Sequence, residues 1–209
     1  MVLPRRLPRS SPDERRDHII GVAAQAFAAE GYGACSMSSI AARLGGSKST
    51  LYKYFLSKGE LFEAVMERRC EQVLSPLRGL QIGQAESFEA CLTQFGTRFL
   101  LKIYEPESLD VHRLIQSEGA HFPELADVFF RTGPDTVIEE LSATLSRFVA
   151  SGQIACEDSL LAAGQFLGML GGDRYLRFAM GLLPAPDRIE IEHQAAHAAR
   201  IFACGLQPA

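Results

Sequence analysis

Residues 36–58, SMSSIAARLGGSKSTLYKYFLSK, constrain the fold more than any other stretch: two short apolar-periodic segments meet at the pair Gly45-Gly46. Ile40, Ala41 and Leu44 share one face of the first segment, and Leu51, Tyr54 and Phe55 share one face of the second. That spacing predicts helices rather than strands. Ala41 and Gly45 stand where two crossing helices must approach closely, so a larger side chain would push them apart. The outer side and leading end of the second helix carry Ser47, Lys48, Ser49, Thr50, Tyr52 and Lys53. Hydroxyls, a phenol and ammonium groups at a helix N-terminus suit phosphate oxygens and base edges. The pattern is a helix-turn-helix.

The flanks extend it. A first helix is expected from Asp13 to Glu30, with Ile19, Val22, Ala23, Ala26 and Phe27 on one face and Gly31 at its C-cap. Ser36 is the expected N-cap of the second helix. Ser39 stands where a capping box prefers Glu or Gln, so that cap reads as half built. Ser47 is the expected cap of the third helix. A fourth helix starts near Ser57 and carries Leu61, Phe62, Val65 and Met66 onward.

Residues 18–66 resemble the DNA-binding domain of the TetR family of bacterial repressors. The matching elements are an Ala-x-x-x-Phe helix, Gly31-Tyr32, Ser36-Met37, Ile40-Ala41, Gly45, Ser47-Lys48, Leu51-Tyr52, Tyr54-Phe55, Lys58 and Leu61-Phe62. The resemblance implies phosphate contacts from Lys48, Tyr52, Tyr54 and Lys58, and base readout from Ser47, Ser49, Thr50 and Lys53, with Ser36 in the same DNA-facing set. For Tyr54, packing against the first helix stands as the alternative. Lys53 suits guanine in the major groove, whereas Ser and Thr hydroxyls discriminate little. One departure is Gly46, where the family has an apolar residue; a second glycine loosens the turn.

Beyond Ser75 long helical patterns fall near 85–104, 107–118, 122–132, 134–151, 157–181 and 187–206, separated at Pro106, Phe122-Pro123, Gly133-Pro134, Gly152 and Gly181–Pro186. Ten of the thirteen phenylalanines lie after residue 80, which predicts a helical body with a large apolar interior. Residues 113–154 are similar to the C-terminal domain of the AefR-like subgroup of the same family. The expected architecture is all-α: a basic arm over 1–12, a three-helix DNA-binding domain over 13–57, and a larger effector-binding and dimerisation domain over 58–209.

The net charge of −4 hides an asymmetry. Residues 1–60 hold nine Lys/Arg against five Asp/Glu, and the remaining 149 hold twelve against twenty. A basic head on an acidic body suits a protein that touches DNA with one end. In the arm, Arg5, Arg6 and Arg9 suit a minor groove or a solvated tail. Five scattered cysteines, Cys35, Cys70, Cys91, Cys156 and Cys204, form no disulfide framework or zinc pattern and read as small hydrophobes in a reducing compartment. With no secretory leader or membrane-length apolar run, the expected location is the cytoplasm.

In the body, an effector pocket is expected from Phe95, Phe99, Phe129, Phe130 and Phe166, with His112, Gln116 and Tyr175 as orienting polar groups. Each phenylalanine taken singly also fits an ordinary core. His193 and His197 lie four apart with only Glu190, one turn earlier, at a third-ligand spacing, so they read as a surface or interface pair rather than a metal site. No cofactor is implied. No nucleophile elbow, zinc motif or phosphate loop is present, so no enzyme is expected. Small residues from Ala162 to Gly172 and from Ala195 to Ala199 suggest either a two-fold four-helix dimer interface or packing within the chain. These features together imply a homodimeric repressor that binds a near-palindromic double-stranded operator and is released by a small lipophilic effector. An activator of the same fold, or a small-molecule binding protein with a vestigial head, stands as the alternative.

Overall fold

The computed structural model describes residues 11–78 and 87–208, among which there are ten helices and no strand. Contacts divide the chain into two compact units with the boundary between Val65 and Met66. Arg5, Arg6 and Arg9 lie outside the described residues, as does the start of the helix expected from 85. Ser11 and Pro12, assigned to the arm from sequence, are instead the N-cap and the first residue of the first helix. Ser11 caps α1 (Pro12–Glu30), its Oγ accepting from Glu14 N at 3.1 Å while Glu14 Oε2 accepts from Ser11 N at 2.8 Å. Pro12 suits the first helical position because its missing N–H would have had no partner there.

In the first unit, α1 ends where Gly31 takes φ 82°, a left-handed conformation open to glycine. Next come α2 (Met37–Arg43), α3 (Lys48–Tyr52) and the start of α4 (Lys58–Arg78). The Ser36 cap is complete, which corrects the expectation of a half-built one. Ser36 Oγ accepts from Ser39 N, and Ser39 Oγ accepts from Ser36 N, both at 3.0 Å. A serine at the third helical position can thus close the box that Glu or Gln usually closes. The core gathers Ile20, Ala23, Phe27, Ile40, Leu51, Phe55 and Phe62, all buried. Phe27, Tyr32 and Phe62 form an aromatic trio with centroids 5.3–5.7 Å apart.

The second unit comprises the rest of α4 with α5 (Phe88–Ile103), α6 (Pro106–Glu118), α7 (Pro123–Thr132), α8 (Pro134–Ala150), α9 (Ser159–Ala179) and α10 (Arg188–Gly205). Three of these helices, α6 to α8, open with proline at the first turn, which explains why breakers located them in the sequence. The core centres on Leu92, Leu100, Leu141, Leu145, Phe166 and Leu170, each fully enclosed. Gly96 lets α5, α9 and α10 approach: a Cβ there would lie 2.9 Å from Leu170 Cδ2 and 3.3 Å from Ala195 Cβ. Ala162, Ala163, Ala195, Ala198 and Ala199 are buried within this core. Much of the small-residue pattern therefore serves packing inside the chain. Among the described residues, no helix is long and apolar enough to cross a membrane.

Candidate nucleic-acid interface and body cavity

The turn between α2 and α3 is closed by the backbone. Gly45, at φ +64°, donates to Ala42 O at 3.1 Å, and Gly46 donates to Ala41 O at 3.3 Å. Ser47 then caps α3, accepting from Thr50 N at 3.3 Å, and its Oγ lies 2.7 Å from Ser49 Oγ and 3.0 Å from Thr50 Oγ1. The three hydroxyls form one cluster. Leu51 and Phe55 anchor the helix to the core, and Arg16 lies 5.2 Å over the Phe55 ring.

That anchoring leaves Ser47, Lys48, Ser49, Tyr52 and Lys53 exposed together, with Thr50 and Tyr54 half-buried at the margins and Ser36 exposed at the α2 cap. Among the described residues, neither the Lys48 nor the Lys53 side chain makes a hydrogen bond or ion pair, in contrast to Arg43, which pairs with Glu30.

Lys58 departs from the expected phosphate contact. Its Nζ donates to Tyr32 O at 2.8 Å and Cys35 O at 2.9 Å, and lies 4.1 Å over the Tyr32 ring. The physical reason is local: the α1–α2 loop turns two carbonyls toward the start of α4, and a cation satisfies both. Lys58 therefore ties that loop to α4. Cys35 in the same loop donates to Ala26 O, and burial, helped by Glu30, pushes its thiol up to about 11. It remains a protonated, packed side chain. Among the described residues no disulfide joins any of the five cysteines, and of them only Cys204 is exposed.

Beneath the turn lies a small cavity of about 90 Å³ lined by Ile19, Ala41, Leu44, Gly46, Ser47 and Leu51, among others. A Cβ added at Gly46 would meet nothing within 4 Å. This is the packing side chain that the second glycine removes.

The body holds a partly open cavity of about 370 Å³ between α4, α5, α6, α7, α8 and α9. Five of the residues expected at a pocket line it: Phe99, His112, Phe129, Phe130 and Tyr175. The other three do not. Phe95 and Phe166 are core, at 4% and 0% exposure, and Gln116 faces outward on α6. Sequence reasoning missed Arg69, Ser108 and Thr132, which bring polar atoms to the lining. Arg69 donates to Glu105 Oε2 at 2.9 Å and Ser108 Oγ at 2.7 Å. Those partners lie more than thirty residues away, so no local pattern marks them. His112 meets Tyr175 edge-on at 5.3 Å, and burial lowers its pKa, keeping the imidazole neutral. Burial, with Tyr104 nearby, pushes Tyr175 up to about 12.

The outer face of α9 and α10 carries exposed apolar side chains among polar ones. Leu161 is 59% exposed, Met169 38% and Ile201 50%, while Gly168 and Gly172 have open space beside them. His193 and His197 stack there with centroids 6.3 Å apart, and Arg200 sits 3.1 Å from His197 Nδ1. Among the described residues, no group of three or more His, Cys, Asp or Glu side chains is placed to hold a metal.

A helix-turn-helix unit with an exposed third helix, and a second, all-helical unit that holds a ligand-sized cavity, define a class of DNA-binding transcriptional regulator. Comparison with known proteins makes this specific. The profile of the AefR-like transcriptional repressor C-terminal domain matches residues 90–205, and that of the tetR family of bacterial regulatory proteins matches residues 19–65. The chain belongs to the TetR family. The flavonoid-responsive regulator FrrA is 31% identical, with 94% of this chain and 98% of that chain covered at a TM-score of 0.82. A TetR-family regulator from Mesorhizobium loti MAFF303099 is 25% identical, with 95% and 100% covered and a TM-score of 0.78. The HTH-type transcriptional activator FasR of Mycolicibacterium smegmatis (strain ATCC 700084 / mc(2)155) is 44% identical over 73 residues, 35% of this chain. The match spans about a third of that relative, 32% of its length. Regulators of this family bind DNA and are not enzymes.

Proposed function

We propose that this chain is a homodimeric repressor that holds a near-palindromic operator through α3 and leaves it when a small lipophilic effector fills the body cavity. The observation that carries the reading is α4. Its first turn holds the loop before α2 through Lys58, and its later residues Met66, Arg69, Cys70 and Val73 line the cavity. One helix thus takes part in both the DNA-binding unit and the effector wall. Dimerisation through the outer face of α9 and α10 covers exposed leucine, methionine and isoleucine, and the open glycines admit close helix approach. Two α3 helices then enter successive major grooves roughly 34–36 Å apart. An effector that binds better to a conformation with another spacing shifts the population off DNA. The reading places the protein in the cytoplasm, with the chromosome.

Repression is favoured over activation by the AefR-like repressor profile across the body. The activator reading keeps one specific support, the FasR match. Footprinting on the DNA upstream of its own gene, followed by transcription in vitro from the footprinted promoter, separates the two. Repression predicts a single protected near-palindrome and less transcript; more transcript establishes the activator, and no protection removes both.

A further inference from the structure

We infer that the effector carries an oxyanion, a carboxylate or phenolate, on an apolar body, and that Arg69, His112 and Tyr175 receive that oxygen; this rests on the cavity being the effector site.

The donors and acceptors around the cavity are unbalanced in favour of donors. No Asp or Glu is among its lining residues. Arg69 is, and its guanidinium is only partly committed. Nη1 donates to Gln72 Oε1 at 2.8 Å, and Nη2 serves Glu105 and Ser108, while the buried Nε–H has no protein partner. Glu105, the carboxylate that balances Arg69, also accepts from Lys102 Nζ at 2.7 Å. One carboxylate therefore answers two cations. Burial raises the Glu105 carboxyl, but the hydrogen bonds from Lys102 and Arg69 outweigh it and hold it below the usual range, so it stays charged and engaged.

The other polar lining points the same way. Ser108 Oγ donates to Lys102 O and Thr132 Oγ1 to Val128 O, so both hydroxyl protons are used. His112 and Tyr175 touch each other through their rings, and their side chains make no hydrogen bond among the described residues. A neutral imidazole offers one N–H, and a protonated phenol offers one O–H. Three donors without a protein acceptor thus belong to side chains that line an apolar cavity without a free acid. A buried cation would lack a free counter-charge there. An oxyanion would find a cation and up to three donors, which are the stronger, charge-assisted bonds. Phe99 and Phe129 line the rest of the cavity and suit a flat or acyl apolar body.

The test uses three ligands on one skeleton, biphenyl-4-carboxylate, 4-phenylphenol and 4-(aminomethyl)biphenyl. Each displaces 1-anilinonaphthalene-8-sulfonate from the full chain at pH 7.5. The acid should compete at least tenfold better than the amine, with the phenol between them. Arg69→Lys keeps a charge for Glu105 but removes the Nε–H, and should cut the acid's advantage at least fivefold while leaving the amine unchanged. Tyr175→Phe, which removes only a hydroxyl, should cut it less. Ile138→Trp, filling the cavity, should abolish competition by all three; competition that survives it places the probes elsewhere and overturns the assignment. An amine that matches the acid, or an acid preference intact in both Arg69→Lys and Tyr175→Phe, overturns the oxyanion while the cavity remains an effector site. If neither the fluorophore nor any biphenyl binds, the effector-site reading falls and takes the inference with it.

Discussion

On α3 of the head, packing and surface chemistry alternate along the chain: Leu51 is buried at 1% exposure while Tyr52 beside it is 44% exposed. On α5 of the body, Phe95 and Phe99 occupy one stripe a single turn apart, yet Phe95 is core and Phe99 lines the cavity. The head sorts its residues around the helix, by angle. The body sorts them along the helix, by depth. Angle follows from helical period, but depth depends on which other helix ends where, and that is a tertiary fact.

The largest expected effect tests that depth. Phe95 packs 6.5 Å from Phe166 inside a closed core, so Phe95→Ala should cost about 3–5 kcal/mol in urea unfolding. Phe99→Ala only enlarges a space that is already open, and should cost less while weakening binding of the anilinonaphthalene probe. Equal destabilisation by the two variants would erase the distinction between core and cavity on α5.

In the head, two lysines sharpen the comparison. Lys58 is tied to two carbonyls, and removing a charged partner from such bonds costs about 1.5–3 kcal/mol each at most, so Lys58→Met should destabilise the head on that scale. Its effect on the salt dependence of operator binding should be nil. Lys48→Ala should do the reverse: stability unchanged, and the slope of log K against log salt reduced by about 0.9 for one lost phosphate contact. A salt slope that responds to Lys58 and not Lys48 would reverse these assignments.

Much of this was legible in the sequence. Prolines and glycines mark the ends of α6 to α9, and Ser36 and Ser47 mark two helix starts, because caps and breakers act within one turn. The α3 surface was legible for the same reason. What stayed hidden crosses long separations: the Arg69–Glu105 pair, the inward turn of Lys58, and the burial of Ala195 against α5 beside Gly96. The phenylalanines of the body were illegible singly because all are apolar and all but Phe122 lie on helices.

A pH titration probes the cavity side. Burial depresses the His112 pKa, so the folded body takes up a proton less readily than the unfolded chain. The sign follows: the neutral form is favoured in the folded state, and stability falls as pH drops below the unfolded value of about 6.5 toward the lower folded value. Above that window the contribution is constant. His112→Gln should flatten the fall between pH 7 and pH 5 in thermal unfolding, and an unchanged slope would assign it to other groups.

The smallest effect returns to the turn. Gly46 has no positive φ, its Cβ would meet nothing within 4 Å, and the 90 Å³ cavity lies beside it. Gly46→Ala should therefore stabilise the head by about 0.4–1 kcal/mol, chiefly by restricting the unfolded chain. For a unit of this size that is a rise of a few degrees in Tm, on the order of 4–8 °C per kcal/mol. Gly45→Ala, at φ +64°, should destabilise instead, because alanine rarely adopts that backbone. Opposite signs at adjacent glycines would show that one is required by backbone geometry and the other leaves room the head does not fill. If both destabilise, the open space at Gly46 belongs to a conformation that the free head leaves.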